Sequence, residues 1–333
     1  MRSNKTPKSF TLCTFILIVF SIGCKENKEE TEIPFDSNYR DSMRSFVIGI
    51  SEYGKSFNPA FVIIPQNGIE LVTMDGESNG PISSDYINAI DGHGQEDLFF
   101  GYYSDDEASP SSETSYIQDF LDISTNLGNT ILTTDYCFSP NNVDNSYLIN
   151  ENNGYISFAA PARELNVIPE YPAAPNNENT NDISELNDVK NFLYLINPSE
   201  FATKESFIDA VMSTNYDLLI VDLFFHDGTI FNEFEITQLK EKSNGSQRMV
   251  IAYMSIGEAE EYRYYWQNSW SDSPPSWLSE ENPDWPGNYK VKYWENEWQY
   301  IVFGNNDSYL KKIVDAGFDG VYLDIIDAFE YFE

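Results

Sequence analysis

The chain has 333 residues, of which 41% are hydrophobic and 15% aromatic, and its formal charge is −35. That apolar content is enough for a core and excludes a chain disordered throughout. The charge excludes nucleic acid, whose phosphates need Lys and Arg, and a polybasic membrane patch, and it suits a neutral or cationic ligand.

Arg2, Lys5 and Lys8 precede the apolar run Phe10 to Ile22, which is short for a membrane span. Ser21-Ile22-Gly23-Cys24 resembles a bacterial lipoprotein box. The pattern predicts a signal peptide over 1–23, lipid on Cys24 and an exported, lipid-anchored protein at the cell envelope or surface. Residues 24–40 are polar and acidic and read as a tether. Past Cys24 only Cys137 remains, and with two histidines in the chain neither a disulfide nor a zinc site is predicted. No metal or cofactor is expected, and the lipid is the only membrane contact of what reads as a monomer.

From Asp41 the pattern is helical, with Met43, Phe46, Val47, Ile50, Tyr53 and Phe57 on one face and Asn58-Pro59 as the stop. Strands are predicted in AFVIIPQNG (60–68), AIDGHGQEDLFFG (89–101) and GNTILTTDYC (128–137), with a helix over 115–127 between the last two. Residues 138–153 are rich in Asn and Ser and read as loop, and GYISFAAPARELNVIP (154–169) is apolar without a clear role. Residues 171–186, with Pro, Asn and acids and almost no large apolar side chains, are the linker candidate.

Beyond the linker, strands are predicted at 191–197, 217–225, 248–257, 289–294 and 318–326, with helices over 199–212, 233–242 and from 294 to about 315. Eight strands alternating with helices predict a (β/α)8 TIM barrel over 41–333, with a doubly wound open sheet as the alternative. No GxGxxG or Walker sequence follows any strand. All six tryptophans lie between Arg248 and Trp298, in a loop predicted to follow the 248–257 strand and to supply stacking rings, with several of them buried.

In parallel α/β folds the site lies at the C-terminal strand ends. Those ends carry Gln66 and Asn67, Glu96 and Asp97, Asp135, Asp222, Ser255 and Glu258, and Asp324 with Asp327. Clustered carboxylates with few bases are the equipment for glycoside hydrolysis, in which one acid protonates the leaving oxygen and another serves as nucleophile or base. No GxSxG elbow occurs, and His93 and His226 read as loop or wall residues.

The motifs YMSIGEAEEYRYYW, NPDWPGNY, GFDGVYLDIIDAFEYF, FVIIPQNG and IDGHGQEDLFFGY resemble those of the glycoside hydrolase family of endo-α-1,4-polygalactosaminidase. The resemblance implies a TIM barrel and an endo-acting hydrolase of α-linked, galactosamine-containing polysaccharide. It implies that Asp324 and Glu96 are the catalytic pair, Glu96 as general acid and Asp324 as nucleophile or base, with exchangeable roles. Asp222, Tyr253, Glu258, Arg263, Trp266, Gln66, Asn67, Asp135 and Tyr322 are the candidate substrate contacts. In the family the YLDIIDAFEYF block precedes the FVIIPQNG and GQEDLF blocks, whereas here it comes last. The rotated order implies a circular permutation with 171–186 joining the original ends. It requires the 61–65 strand to pair with 320–325 and Phe332 to lie near the start of the Asp41 helix. The competing reading of the order is a separate N-terminal domain. The competing function is a carbohydrate-binding surface lipoprotein without catalysis.

Overall fold

Short runs dominated by Val, Ile, Leu and aromatic residues, buried along their whole length, become parallel strands, and amphipathic stretches between them become helices. The computed structural model describes residues 39–333. The expected signal peptide, Cys24 and the expected tether up to residue 38 lie outside the described residues. In chain order the elements are α1 (Tyr39–Phe57), β1 (Val62–Pro65), α2 (Ser84–Ala89), β2 (Gly92–Glu96), α3 (Ser111–Asn126), β3 (Thr130–Tyr136), α4 (Pro140–Asn152) and β4 (Ile156–Ala160). They continue as β5 (Phe192–Tyr194), α5 (Lys204–Met212), β6 (Leu218–Asp222), α6 (Glu233–Leu239), β7 (Met249–Ser255), β8 (Glu258–Glu260), β9 (Leu278–Glu281), β10 (Asn288–Val291), α7 (Asn296–Val302), α8 (Tyr309–Asp315) and β11 (Gly320–Asp324).

The fold is α/β with parallel sheets. One sheet has the order β1-β11-β7-β6-β5 and a second the order β2-β3-β4, each pairing in parallel. The sheets meet where the Asn67 amide donates to the Gly94 carbonyl at 2.9 Å and the Asp91 amide to the Ile63 carbonyl at 2.9 Å. At the other margin β4 lies beside β5 without a shared ladder. β1 pairs with β11 in the register Val62–Gly320 to Pro65–Leu323. The start of α1 meets the residues after β11. Tyr39 packs on Phe332 with ring centroids 5.6 Å apart, and Arg40 Nε donates to Glu333 Oε1 at 2.9 Å.

Four segments differ from expectation. Residues 140–152, expected as loop, form α4. Its inward positions Val143, Ser146, Tyr147 and Asn150 have helical spacing, but two of the four are polar, which hides the face from an apolar-periodicity reading. The 289–294 strand exists as β10, but it is antiparallel to β8 and β9 and forms a third small sheet outside the parallel set. Its alternating Lys290 and Lys292 mark a half-exposed antiparallel strand rather than a doubly buried parallel one. The eighth parallel strand is instead β4, in the segment left without a role. The long helix expected up to 315 is broken into α7 and α8 around Gly304, which has φ 96°.

The Trp-rich region is mostly packing. Trp266, Trp270, Trp277 and Trp298 stack in series with centroids 5.0–5.1 Å apart, and Trp298 Nε1 donates to the Ile256 carbonyl at 2.8 Å. Trp266 also stacks on Tyr289 at 4.8 Å, which makes it part of this wall rather than a ligand contact.

Asp135 is likewise corrected from substrate contact to core. It is fully buried and accepts from the Phe99 amide at 2.8 Å, the Phe100 amide at 3.2 Å, Ser146 Oγ at 2.6 Å and Asn150 Nδ2 at 3.0 Å. This one carboxylate ties α4 and the loop after β2 to β3. Asp135→Ala takes the carboxylate acceptor from four donors, of which Asn150 Nδ2 keeps the Ser146 carbonyl at 2.9 Å, and is expected to cost about 3 kcal/mol of stability, read as a lower denaturant midpoint.

Candidate active site

Glu96 ends β2 and Asp324 ends β11, with β1 between them. Each acid is followed by a residue in the left-handed region, Asp97 at φ 56° and Ile325 at φ 59°. The chain therefore turns sharply at both strand ends and leaves each carboxylate at the mouth. For Ile325, a β-branched residue, this conformation is strained. Asn67, at φ 59° just past β1, fills the space between, and its Oδ1 accepts from the Glu96 amide and from Gln95 Nε2, both at 3.2 Å. His93, fully buried, has its Nε2 3.0 Å from the Asn67 carbonyl, and burial lowers its pKa to about 4, so it is a neutral support rather than a base.

These strand ends line a cavity of about 550 Å³. Its walls hold seven carboxylates, from Glu96, Glu164, Asp222, Glu258, Glu260, Asp324 and Asp327, against two arginines, Arg163 and Arg263. Arg263 is consumed by its neighbours. Its Nη1 and Nη2 pair with Asp222 at 2.9 and 2.8 Å, and its Nε with Glu260 at 2.5 Å. Glu258 is fully buried. Its Oε1 accepts from Asn282 Nδ2 at 2.7 Å and from the Tyr331 hydroxyl at 2.8 Å, while its Oε2 has no hydrogen-bond partner among the described residues. A buried acceptor without a donor is costly and calls for one from a ligand.

The electrostatics separate the acids. Burial, and then the charge of Asp324, push the Glu96 carboxyl up to about 8, although the Tyr136 hydroxyl donates to its Oε1. Burial raises Asp324 to about 6, held back by the Tyr253 hydroxyl, which donates to its Oδ2 at 2.6 Å. Burial and then Asp324 raise Asp327 to about 7. At neutral pH Glu96 keeps its proton and Asp324 is largely ionised, the division of labour that acid-plus-nucleophile chemistry needs.

Of the sequence-derived residues, the cavity gathers Glu96, Asp324, Asp222, Tyr253, Glu258, Arg263, Gln66 and Asn67. Gln66 accepts from the Tyr194 hydroxyl at 2.8 Å through its Oε1. Asp135, Trp266 and Tyr322 are not on its wall. Tyr322 lies fully buried within β11 beside Tyr194, and it fits because Gly94 opposite has no Cβ, which would sit 2.1 Å from the Tyr322 hydroxyl. Of the tryptophans only Trp285, 57% exposed, lines the cavity.

Sequence reasoning missed Tyr136 and Arg163. Arg163 follows β4 and grips Asp97 at 2.7 and 3.1 Å and Asp105 at 2.6 Å, with its guanidinium 4.1 Å above the Tyr136 ring. It thus holds both the residue after Glu96 and the tyrosine bonded to Glu96. Asp97 turns away from the cavity, as alternation would have it, but through a left-handed backbone rather than an extended one.

Residues 186–333 match the sequence model of glycoside-hydrolase family GH114. The matched segment lies in the second half of the chain. It carries Asp222, Tyr253, Glu258, Arg263 and Asp324, and it leaves Glu96 outside the match. The uncharacterized protein MJ1477 of Methanocaldococcus jannaschii is 43% identical over 159 residues, covering 47% of this chain and 42% of that protein. An uncharacterized protein of Thermotoga maritima is 45% identical over 121 residues, 36% of each chain. Another, of Deinococcus radiodurans, is 42% identical over 123 residues, 37% of each. The chain thus spans less than half the length of these relatives. Among solved structures, Aspergillus fumigatus Ega3 in complex with galactosamine is similar at 20% identity and a TM-score of 0.29, over 46% of this chain and 51% of that one. Similarity of that size carries no weight for the fold.

A carboxyl whose pKa is raised on folding contributes stability below its unfolded pKa and loses it as pH rises through the folded value. Glu96 at about 8 therefore weakens the fold between about pH 4.5 and 8. Glu96→Gln is expected to raise the thermal midpoint at pH 8 relative to the natural chain and to leave it nearly unchanged at pH 4.5. An equal shift at both pH values would contradict the buried, protonated state.

Proposed function

We propose that this chain is an endo-acting glycoside hydrolase that cleaves an α-linked, galactosamine-containing polysaccharide. Glu96 gives its proton to the leaving glycosidic oxygen, and Asp324 acts on the sugar carbon as nucleophile or as base for a water. The observation that carries the reading is that both carboxyls line one cavity, with burial and the charge of Asp324 raising the pKa of Glu96 to about 8 and burial raising that of Asp324 to about 6. The GH114 match of residues 186–333 supports the reaction class. A cationic amino sugar is supported by the excess of carboxylates over arginines on the wall, by the engagement of Arg263 with Asp222 and Glu260, and by the unpartnered Oε2 of Glu258. Trp285 and Tyr262, exposed at the mouth, supply rings for a sugar face.

The reading includes a closed eight-stranded barrel in permuted order, supported by the neighbour sequence β5, β6, β7, β11, β1, β2, β3, β4 and by the pairing of β1 with β11. In this order the two acids come from opposite parts of the chain and stand two strands apart. It also includes export and a lipid anchor on Cys24, which hold the enzyme at the cell envelope. The test of the anchor is incorporation of labelled lipid into the natural chain and its loss in Cys24→Ala.

Protein beginning at residue 25 is expected to release oligomers from polygalactosamine. Asp324→Asn and Glu96→Gln should each lower kcat by at least about a hundredfold. Full activity in either variant refutes the assignment, and binding without turnover by the natural chain would favour a non-catalytic binder.

The profile of kcat/KM should be bell-shaped, falling below about pH 6 as Asp324 takes up a proton and above about pH 8 as Glu96 loses its own. Arg163, whose positive charge lowers the Glu96 pKa, gives a second handle. Arg163→Met should move the alkaline limb upward and reduce kcat about tenfold, and Arg163→Lys should restore the limb more than the rate. A profile unmoved by Arg163→Met would remove its positioning role.

A further inference from the structure

A second hollow, of about 630 Å³, lies against the candidate site. Three chain segments pass directly from one to the other. Tyr136 lines the cavity and residues 137–138 the groove. Residues 163–165 line the cavity and 166–171 the groove. Residues 196–198 line the cavity and 200–201 the groove. The two hollows therefore share walls on the side of Glu96, whose partner Tyr136 stands at the boundary.

The groove presents exposed aromatic rings. Phe138 is 57% exposed, and its amide and that of Ser139 donate to Asp106 Oδ1 at 3.1 and 3.0 Å. Tyr171 is 42% exposed, and its hydroxyl donates to Asp144 Oδ1 at 2.8 Å. Tyr171, tied through its hydroxyl, is a preorganised platform that loses little conformational freedom when something stacks on it, and Phe138 stands on a backbone held by Asp106. Two exposed carboxylates, Glu170 and Glu200, edge the apolar floor, and neither forms an ion pair among the described residues.

We propose that this groove is a distal subsite for the same polysaccharide, binding a sugar unit beyond the pair at the cleaved bond. Phe138 and Tyr171 stack on its apolar face, and Glu170 and Glu200 meet its hydroxyls or ammonium group. The occupant follows from three observations taken together. The groove adjoins the catalytic cavity along three chain segments, it combines exposed rings with carboxylates, and its charge has the sign of the cavity's. This inference rests on the substrate reading above.

The test uses protein from residue 25 on galactosamine oligomers graded by length. In the natural chain kcat/KM should climb with length. Phe138→Ala and Tyr171→Ala should each lower it about three- to tenfold on the long oligomers, the size of one aromatic contact, and leave the shortest cleaved oligomer unchanged. Natural-chain activity with variants that match it at every length, or that lose equally on short and long oligomers, overturns the subsite alone. A natural chain inactive on every length overturns the substrate reading and the subsite with it. Unchanged thermal midpoints are expected for both variants because both rings are surface groups.

Discussion

The rest of the structure is arranged around the desolvation of carboxylates that face one another. Glu96, Asp324 and Asp327 share a hollow lined by buried side chains, and each is pushed above the ordinary carboxylate range by burial before any neighbour contributes. Left to themselves, such groups would all take up protons and become alike. What keeps them different is the set of donors around each. Asp324 has the Tyr253 hydroxyl and its neighbouring backbone amide, which stabilise its charge. Glu96 has a single tyrosine and lies in the field of Asp324, so it takes the proton. The charge of Asp324 is thus one cause of the proton on Glu96, and removing Asp324 lowers the Glu96 pKa.

Holding that arrangement requires backbone strain that ordinary strand ends lack. Asn67, Asp97 and Ile325 all take left-handed conformations immediately after three adjacent strands. Non-glycine residues in that region cost on the order of 1 kcal/mol each or more. They persist because their surroundings over-determine them. Arg163 clamps Asp97, the Asn67 side chain receives the Glu96 amide, and the Asn67 carbonyl faces the buried His93 ring. Of the two arginines on the wall, Arg263 organises Asp222 and Glu260 and Arg163 organises the turn after Glu96. Neither is left as a free cation to neutralise the acids from within.

Much of this was readable from residue order. β1, β5, β6, β7 and β11 announced themselves as largely apolar runs, and the acids at strand ends fell where an α/β fold puts its chemistry. What escaped was whatever the fold builds from polar side chains. Helix α4 was hidden because Ser146 and Asn150 occupy core positions, where they serve Asp135. Asp135 itself looks identical to a catalytic aspartate in sequence, and only the four donors around it reveal its structural role. β10 and β4 exchanged places in the strand count. The first has the aromatic residues of a strand but alternating lysines, and the second ends in small alanines that weaken its apolar signal. Arg163 could not be found from spacing, since its partners Asp97 and Asp105 lie on another loop.

The segment expected to be a passive linker has a firmer place than its composition suggested. Its few large apolar residues, Ile183 and Leu186, are buried. A Cβ on Gly92, at the start of β2, would lie 3.0 Å from Leu186, which puts Leu186 under the opposite end of the strand from Glu96. The Ile183 amide donates to the Gln247 carbonyl at 3.0 Å, just before β7. Lys242, wholly buried with Asp217 at 2.7 Å, also donates to the Asn181 carbonyl at 2.8 Å. The segment is thus stitched to the starts of strands on both sides of the molecule. In a permuted barrel the connection made between the former ends has to cross the side away from the catalytic mouth, because the mouth must stay open to a polymer. A chain fastened across the strand starts meets that requirement and covers apolar ends that would otherwise face water. In the proposed barrel this connection thus underlies the start of the strand that carries Glu96.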